Sequence, residues 1–569
     1  MTIGVMAGMS PRRARNPLEG VPALILELRP DLRRRFGFHK PERRGAYLAW
    51  LVCNGLNEYA ALARDPSFVR MLQYPARDGI TVLQGMVLAL RPNVRKAFPL
   101  PERRRDFRTW FYTHGVEEHG LWPLLTQLER RWLRALGEPW RSRLAPLIAA
   151  FQDRYGNGHT AAERAFGVNV IGYAYGQFGI GEDTRMAARA LLAAGVPVTM
   201  LDFPAGKDVP QNDRSMAARV SDIGPFAINL FCMTALETGR FFAERGRGQF
   251  TGRYNIGYWP WELAKWPRAW RQMVELVDEV WVSSRHTYNA VAPVCAAHHA
   301  VAFGATPPHG GRGTIPVRLM PMAVELEALG RRTRARMRSR FDLPAEARLF
   351  VFTFDLNSSI HRKNPQAAVD AFVRAFPAKR WGQDEVGLVI KVHPPQRRNR
   401  AWDNLKALAA RNRRLHIIEE TLPRPQLLAL YKACDCFVSL HRAEGFGRGI
   451  AEALQLGLHV IATGYGGNVD FCADRALADR VDLVRCRLIK LQPGQYPYGE
   501  GQVWANPDLR HAAQCMQALV RRFPPGSGRF PLHRPHSDGW PAFSASVVGA
   551  RYRQRLEEIR AVVIPERTR

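Results

Sequence analysis

Short apolar runs of strand type recur between residues 166 and 475, and most of them are followed by a helical pattern. The predicted strands are 167–175, 196–203, 226–233, 254–259, 278–284, 349–354, 386–394, 436–440 and 460–462, with a further strand at the start of the segment 414–434, before a loop and a helix. Runs of this kind are typical of strands that are buried on both faces. Their alternation with helices predicts parallel sheets of the doubly wound α/β class.

The preceding region, residues 21–155, has a helical pattern and contains an internal repeat. One copy starts at Arg29 and the other at Arg91. Four pairs of residues correspond: Pro41 with Pro101, Tyr47 with Phe107, Trp50 with Trp110, and Gly55 with Gly115. In each copy an aromatic residue, a tryptophan and the next apolar residue share one helical face. We therefore predict two copies of a helical module of about 60 residues, each with a helix that ends at its glycine.

The repeats have two interpretations. In the first, their aromatic residues form the core of an added helical domain. In the second, the Arg-rich segments at 41–44 and 101–104 dock a partner protein, a lipid surface or a growing glycan. The residues alone leave both open.

A chain of 569 residues is too long for one hydrophobic core. We predict a helical domain over 1–160, of which the first 20 residues are loose, and a Rossmann-like domain over 161–335. A second Rossmann-like domain is predicted over 336–545, with a C-terminal helix and tail over 546–569. The basic stretch 331–344 is typical of a crossing between domains, and the C-terminal helix is expected to return to the middle domain.

The chain has 82 Lys and Arg residues against 51 Asp and Glu, a net charge of +31. This excess favours an anionic partner, such as a membrane surface, over nucleic acid, for which no binding module is recognised. No apolar stretch is long enough to span a membrane, and residues 1–17 lack the apolar core of a secretory signal. The eight cysteines match no zinc framework and are expected to be buried thiols. We expect a cytoplasmic protein whose membrane contact, at the inner face of the cell membrane, is peripheral.

Residues 435–471 carry the clearest chemistry: a strand, a glycine-rich turn, a helix from about Gly449 to Leu456, a strand and a second glycine-rich turn. A helix N-terminus is a natural seat for phosphate. Glu444 in the turn and Glu452 in the helix would repel phosphate, so we expect them to face neutral hydroxyls beside it. A nucleotide-sugar offers both kinds of group. The alternative is a capping carboxylate and a solvated helix glutamate.

This stretch, with S-L-H-R-A-E-G-F-G followed by A-E-A, resembles the E-x7-E signature of bacterial retaining glycosyltransferases of family 4, which have the GT-B fold. The resemblance implies that Glu444 contacts the donor sugar and Glu452 the ribose. It implies that the backbone at Gly445, Phe446 and Gly447 holds the diphosphate.

One residue departs from the pattern of that family. Arg448 stands where the family usually has a small or apolar residue, and it either adds a charge to the phosphate site or is solvated.

Basic residues near two predicted strand ends complete the expected donor site. The family carries a basic pair for the phosphates, and Lys363 matches one member while Arg362 substitutes for the other, which usually lies at the position of Asn357. Lys391, at the end of a strand, is a further phosphate candidate. In the family the loop that contains Gly181 lies across the cleft from the diphosphate.

Two residues are expected on the acceptor side. Trp259 and Glu262 stand near the position where many relatives have a histidine, so no catalytic histidine is carried over. Trp259 would stack on a sugar or lipid and Glu262 would bind a hydroxyl. The alternative is a core tryptophan and a solvated glutamate.

The sequence thus predicts a GT-B fold, with two doubly wound Rossmann-like domains facing a cleft, preceded by an all-α domain. The expected activity is retaining transfer of a sugar from a nucleotide-diphospho-sugar to a hydroxyl of a glycan or lipid-linked glycan. Bacterial cell-surface polysaccharide or glycolipid synthesis is the expected pathway. No cofactor and no metal site are expected, since no D-x-D pair occurs. The alternatives are a nucleotide-sugar epimerase of GT-B fold and a non-catalytic basic scaffold that binds an anionic glycan.

Overall fold

A computed structural model of the chain describes residues 18–36, 41–135, 164–204, 206, 209–297, 314–326, 334–394, 398–525 and 541–563. The first helices are α1 Gly20–Leu28, α2 Pro30–Phe36, α3 Pro41–Trp50, α4 Leu56–Glu58, α5 Pro66–Leu72, α6 Val82–Leu90, α7 Pro92–Ala97, α8 Arg104–Trp110, α9 Val116–Glu118 and α10 Gln127–Ala135. The later helices are α11 Gly179–Ala193, α12 Ala235–Arg245, α13 Arg285–Ala296, α14 Arg334–Arg340, α15 Ile360–Lys363, α16 Pro365–Ala375, α17 Arg400–Ala410, α18 Arg424–Ala433, α19 Arg448–Gln455, α20 Val469–Cys472, α21 Leu509–Arg522 and α22 Ala545–Val563. The strands are β1 Ala165–Gly172, β2 Val198–Asp202, β3 Phe226–Cys232, β4 Tyr254–Tyr258, β5 Glu279–Val282, β6 Val317–Leu319, β7 Arg348–Asp355, β8 Val386–His393, β9 Leu415–Glu419, β10 Cys436–Ser439, β11 His459–Thr463, β12 Val481–Val484, β13 Cys486–Lys490 and β14 Val503–Pro507.

Both copies of the N-terminal repeat contain a helix, a π-helical turn and a further short helix. The π turns are Leu51–Gly55 and Phe111–Gly115. Gly55 and Gly115 keep right-handed helical dihedrals, with φ −62° and −60°, so the prediction that they end their helices is wrong. A Cβ on Gly55 would come within 3.0 Å of the Leu62 side chain. Gly55 therefore allows close packing against Leu62, and it does not end the helix.

The helical region shares a hydrophobic core with the sheet domain that follows it. Leu24 of α1 is fully buried and packs beside Gly239 of α12, where an added Cβ would lie 3.1 Å from the leucine Cδ1. The same core includes Phe242 and Met273, and Phe231 from one face of the first sheet. The region is thus a layer on that sheet.

Two six-stranded sheets follow the helical region. Their strand orders are β2-β1-β3-β4-β5-β6 and β12-β11-β10-β7-β8-β9, and the strand pairs within both are parallel. Helices connect the strands on both faces. These are two doubly wound domains preceded by a helical region, so the prediction of a GT-B fold after an all-α region is confirmed.

The strand orders fix where a ligand site can form. The order reverses between β1 and β3 in the first sheet, and between β7 and β10 in the second. In open parallel sheets, ligands bind outside the carboxyl ends of the strands at such a reversal. The segments that follow β1, β7 and β10 begin after residues 172, 355 and 439, and they contain Gly181, Lys363 and Glu444. The fold therefore brings together side chains that are far apart in the sequence.

An antiparallel hairpin replaces the loop-rich segment that the sequence predicted after residue 475. Strands β13 and β14 pair in register, Leu488 opposite Ala505, and enclose a loop over 491–502. Most side chains of β13 are exposed, so this strand lacks the apolar run by which the other strands were predicted. Strands β6 and β12 were also missed, because they are short and only partly buried.

Helix α22 returns to the first sheet domain, as the sequence led us to expect. It packs on α11 so closely that a Cβ on Gly549 would lie 2.0 Å from the carbonyl oxygen of Ala190. The hydroxyls of Tyr552 and Tyr258 are 2.9 Å apart, and Arg555 Nε lies 3.1 Å from Glu279 Oε1. A helix that follows the second sheet therefore joins it to the first.

The predicted domain limits are only partly within the described residues. Residues 1–17 and the limit at 160 lie outside them. The predicted limit at residue 335 falls inside helix α14, and the predicted limit at residue 545 falls at the start of α22. These two domain limits stay predictions. No helix among the described residues is both long and apolar enough to cross a bilayer. All eight cysteines are free thiols, and six of them are buried.

We expect Gly549→Ala to lower the free energy of unfolding by about 1–3 kcal/mol, because the new methyl group collides with the Ala190 carbonyl and forces α22 away from α11. Thermal unfolding of the full chain measures the change. The matched control is Ala550→Ser, at the exposed neighbouring position of the same helix. Equal melting temperatures for the two variants would contradict this account of the helix contact.

Candidate active site

A cleft of about 400 Å³ is lined by residues that follow the strands of both sheets. The lining includes ten of the residues singled out in the sequence: Glu262, Arg362, Lys363, Lys391, Glu444, Gly445, Phe446, Gly447, Arg448 and Glu452. Gly181 and Trp259 are not among the lining residues. The cleft contains the reversal points of both sheets, where a ligand site is expected.

A buried histidine holds the turn that carries Glu444. His441 Nδ1 lies 2.9 Å from Ser439 Oγ, and Nε2 lies 3.0 Å from the carbonyl oxygen of Tyr465. These partners fit a neutral ring that accepts at Nδ1 and donates at Nε2. Burial lowers the pKa of His441, which keeps the ring neutral. The histidine thus ties the end of β10 to the second glycine-rich turn.

The two glycine-rich turns approach each other at backbone distance. Gly447 has φ 94°, a left-handed conformation that favours glycine, and α19 begins at the next residue. A Cβ on Gly467 would lie 1.8 Å from the carbonyl oxygen of Gly445, which also accepts a 2.5 Å hydrogen bond from Ser284 Oγ. The start of α19 therefore faces the cleft, with the free N–H groups and positive dipole of a helix N-terminus.

Glu444 forms a partly buried ion cluster with two cations of the turn after β7. Lys363 Nζ donates to Glu444 Oε1, and Arg362 Nη1 lies 3.4 Å from the same oxygen. Burial alone would raise the pKa of Glu444, but Lys363 and Arg362 outweigh burial and lower the pKa to about 2. The carboxyl is therefore ionised at neutral pH.

The short helix α15 presents both cations. The Ser359 hydroxyl caps it by accepting from the Arg362 N–H, and Asn364 ends it with φ 55°. Asn364 Nδ2 donates to the carbonyl oxygen of Leu440, 2.9 Å away. Asparagine is one of the few residues that adopt this left-handed conformation readily. These contacts fix α15 against the end of β10, so Lys363 meets Glu444 directly.

Burial acts to lower the pKa of both cations, but the net shifts are opposite. Burial and the neighbouring Arg362 lower the pKa of Lys363, and Glu444 acts in the opposite direction. Burial also acts to lower the pKa of Arg362, but Glu262 and Glu444 outweigh it, and the pKa stays above its usual value. Arg362 therefore remains charged under all ordinary conditions.

Glu452 is paired with an arginine that the sequence did not single out. Arg424 Nη1 donates to Glu452 Oε1 over 2.9 Å, and Arg424 Nε lies 3.0 Å from Glu182 Oε1 on the other domain. Glu182 is the acidic residue in the first turn of α11. Arg424 follows a proline at the beginning of α18, which had no distinctive signal. The predicted ribose contact is thus part of an ion cluster between the domains.

Arg448 has a different partner from those expected. Its Nε donates to Asp183 Oδ1 over 2.7 Å, and its Nη1 donates to the carbonyl oxygen of Ala323 over 3.2 Å. Both partners belong to the first sheet domain, and the Arg448 side chain is only 12% exposed. Arg448 is therefore not solvated, and its guanidinium binds across the cleft.

Lys391 and Gly181 differ in their relation to the cleft. Lys391 lies at the end of β8 in the cleft lining, and burial lowers its pKa. Gly181 lies in the first turn of α11, where a Cβ would meet the carbonyl oxygen of Gly176 at 2.3 Å. It packs against its own preceding loop, and its neighbours Gly179 and Ile180 line the cleft in its place.

The two acceptor-side candidates, Trp259 and Glu262, lie in different surroundings. Trp259 is 1% exposed, and its Nε1 donates to Thr238 Oγ1 over 3.0 Å, so it belongs to the core and the expected stacking on a substrate is wrong. Glu262 lines the cleft, where Oε2 accepts a 2.7 Å hydrogen bond from the hydroxyl of Tyr496. Glu262 Oε1 lies 3.7 Å from Arg362 Nη2. Glu262 is therefore held in place and not merely solvated.

The cleft is nearly balanced in charge, in contrast to the whole chain. Its lining contains six Arg and Lys residues and seven Asp and Glu residues. The net charge of +31 therefore comes from other parts of the molecule. Within the described ranges, no group of three or more His, Cys, Asp or Glu side chains is placed to hold a metal ion.

Comparisons with known proteins point to sugar transfer. Residues 358–482 match the family model described as "Glycosyl transferases group 1", which covers less than half of the chain. The matched segment contains Lys363, Glu444 and Glu452, and the match supports a glycosyltransferase. No curated protein matches the sequence.

Several solved structures align with most of this chain. A sucrose-phosphate synthase from Thermosynechococcus elongatus is 16% identical and covers 70% of this chain and 100% of its own, with a TM-score of 0.47. HepE from Anabaena, in complex with UDP and glucose, is 12% identical and covers 69% and 100%, with a TM-score of 0.46. An α,α-trehalose 6-phosphate synthase from Burkholderia multivorans is 14% identical and covers 67% and 77%, with a TM-score of 0.41. These scores are below 0.5, so the fold assignment rests on the order of the two sheets.

The lowered pKa of Glu444 gives an expected acid dependence of stability. Its ion cluster contributes fully above the ordinary pKa of 4.5, and the contribution is lost as pH falls towards 2, because the unfolded state then binds the proton more readily. We expect Glu444→Gln to be less stable than wild type at neutral pH, and the difference to narrow between pH 4.5 and 2. Melting temperatures measured across this range test it, with the exposed Glu557→Gln as control. A difference that stays constant would contradict the ion cluster.

Proposed function

We propose that this protein is a retaining glycosyltransferase that moves a sugar from a nucleotide-diphospho-sugar to a hydroxyl acceptor. The observation that carries the proposal is the cluster of Glu444, Lys363 and Arg362 beside the N-terminus of α19. A carboxylate there suits the hydroxyls of a sugar, while two cations and a helix N-terminus suit a diphosphate. The match of residues 358–482 to a glycosyltransferase family model supports the same conclusion.

The proposed chemistry follows from where charge develops. As the bond between the anomeric carbon and the phosphate oxygen breaks, negative charge builds on the leaving diphosphate. Lys363, Arg362 and the N–H groups at the start of α19 stabilise that charge, which is the largest contribution expected in such a site. The acceptor oxygen attacks from the same face, and its proton passes to the departing phosphate oxygen. The anomeric configuration is thereby retained.

Two carboxylates divide the donor between them in this proposal. Glu444 binds hydroxyls of the transferred sugar, and Glu452 binds the ribose. Glu452 is held by Arg424, whose position between Glu452 and Glu182 links the donor site to the first sheet domain. The two cations supply the charge compensation that a divalent ion provides in other transferases, so we propose transfer without a metal.

The proposed setting is bacterial cell-surface polysaccharide or glycolipid synthesis, with a glycan or lipid-linked glycan as acceptor. Because the cleft is nearly balanced, the basic excess of the chain lies outside it. A basic exterior suits peripheral contact with the anionic inner face of a cell membrane. We therefore propose a cytoplasmic protein that acts at that surface.

We expect nucleotide-sugars to stabilise the folded protein, because a ligand that binds only the native state raises its melting temperature. A panel of UDP-, GDP- and ADP-sugars, with the free nucleotides and free sugars as controls, identifies the donor. With that donor, NMR of the product gives the anomeric configuration. Inversion would contradict the proposed mechanism, and release of free epimerised sugar without an acceptor would favour an epimerase. The absence of any stabilisation would contradict the proposed function.

We expect Glu444→Gln and Lys363→Ala to lower the rate of transfer by about 100-fold or more, since Lys363 stabilises the charge of the leaving group and Glu444 holds the hydroxyls of the transferred sugar in the transition state. Initial rates of nucleoside diphosphate release with the identified donor measure the effect. Glu557→Gln, on the exposed face of α22, is the control and keeps the wild-type rate. Since loss of one ion partner also lowers stability, melting temperatures establish that each variant is folded at the assay temperature. Wild-type turnover in a folded variant would refute its assigned role.

A further inference from the structure

The loop between β13 and β14 crosses from the second sheet domain to the first. The carbonyl oxygen of Gln495 accepts a 2.9 Å hydrogen bond from Ser359 Oγ, on the turn that presents the two cations. Gln502 Oε1 accepts a 3.0 Å hydrogen bond from the N–H of Lys265 in the first domain. We call residues 491–502 the bridging loop, since it contacts both domains beside the cleft.

Two tyrosines of the bridging loop pack on tryptophans of the first domain. The ring of Tyr496 lies 6.1 Å from that of Trp261, and the ring of Tyr498 lies 5.2 Å from that of Trp270, both edge to face. Edge-to-face aromatic pairs of this kind stabilise a contact beyond the area that they bury. The loop is therefore fixed against the first domain by its own aromatic residues.

From this position Tyr496 contacts Glu262, which lines the cleft. Its hydroxyl donates to Glu262 Oε2 over 2.7 Å, and burial raises its pKa well above the usual value, so it remains protonated. The guanidinium carbon of Arg362 lies 5.9 Å from the centre of the Tyr496 ring. The carboxylate of Glu262 is thus oriented by a donor that comes from the opposite domain.

Arg362 places Glu262 next to the donor site. Its Nη1 lies 3.4 Å from Glu444 Oε1, and its Nη2 lies 3.7 Å from Glu262 Oε1. One guanidinium therefore separates the carboxylate proposed to hold the donor sugar from a second carboxylate on the first domain. A carboxylate has four lone-pair sites, and the contacts with Tyr496 and Arg362 leave capacity for hydroxyl groups. It repels phosphates and other carboxylates.

We propose that Glu262 binds a hydroxyl of a neutral acceptor sugar and that Tyr496 is a positioning residue that holds Glu262 for this contact. The inference rests on the proposed glycosyl transfer and assigns the acceptor side of the same site. Tyr496 touches neither substrate. Its effect on acceptor binding passes through the hydrogen bond to Glu262 and through the bridging loop that carries it.

The test compares Tyr496→Phe with wild type in the full chain. The donor is the nucleotide-sugar that gives the largest rise in melting temperature, and the acceptor probes are p-nitrophenyl glycosides of neutral hexoses. We expect Tyr496→Phe to raise the KM for the glycoside by about tenfold or more, the value of a hydrogen bond to a charged group. Two quantities measured without acceptor should each change by less than about twofold: the rise in melting temperature caused by the donor, and the slow rate at which its sugar is transferred to water. Both depend on the donor side of the cleft.

Tyr498→Phe is the matched control, because Tyr498 lies on the same loop and packs on Trp270 outside the cleft lining. Glu262→Gln should raise the same KM, and the double variant with Tyr496→Phe should be no worse than Glu262→Gln alone, because the two residues act as one unit. The corresponding p-nitrophenyl glucuronides should be poor acceptors for wild type, and Glu262→Gln should reduce that discrimination.

The outcomes separate the inference from the proposed function. An unchanged acceptor KM in Tyr496→Phe, additive effects in the double variant, or equal losses of transfer to glycoside and to water would each overturn the inference. So would glucuronides used as well as glucosides, or a wild type that consumes donor but glycosylates no neutral probe. A wild type that no nucleotide-sugar stabilises would instead refute the proposed function, and the inference with it.

Discussion

The ionised carboxylate of Glu444 between the buried Arg362 and the partly buried Lys363 is the interaction on which the rest of the site depends. A buried carboxylate without partners would take up a proton, and buried cations without a counter-charge would destabilise the turn after β7. Lys363 and Arg362 reverse that balance and lower the pKa of Glu444 to about 2. The protein thus maintains a polar, charged pocket at the reversal points of two parallel sheets. This is where a ligand that carries both hydroxyls and phosphates can replace some of the internal contacts.

The two sheet domains are joined by contacts of several different kinds. Arg448 and Arg424 form ion pairs with Asp183 and Glu182 across the cleft, and the bridging loop adds a hydrogen bond to Glu262. Buried ion pairs contribute little net stability, since desolvation offsets most of the attraction. Their attraction does, however, depend strongly on the relative position of the two charged groups. The cleft is therefore held at a defined width by directional contacts. A substrate that enters it meets charges whose positions are already fixed.

Local sequence patterns were sufficient for the sheets and for the centre of the site. Apolar runs of strand length predicted most of the parallel strands, and the pattern of Glu444 and Glu452 around a glycine-rich turn selected two residues that the structure places in one cleft. Contacts between distant residues were not accessible in this way. Arg448 and Asp183 are 265 positions apart, so no local pattern links them. The sequence left open whether Trp259 stacks on a substrate or lies in the core, and its burial and its hydrogen bond to Thr238 of α12 place it in the core. Gly55 resembled a helix end, although packing against Leu62 explains it.

The contact between α22 and α11 has a consequence for the order in which the protein can be assembled. Helix α11 is synthesised early, whereas the helix that covers it is made only after the whole second sheet domain. Until then α11 lacks the helix that packs on its surface around Ala190, and domains of large proteins tend to fold as units during synthesis. The first sheet domain therefore lacks one of its packed helices while the second sheet domain is synthesised. Its completion depends on residues 545–563, so the two halves of the molecule reach their final form together.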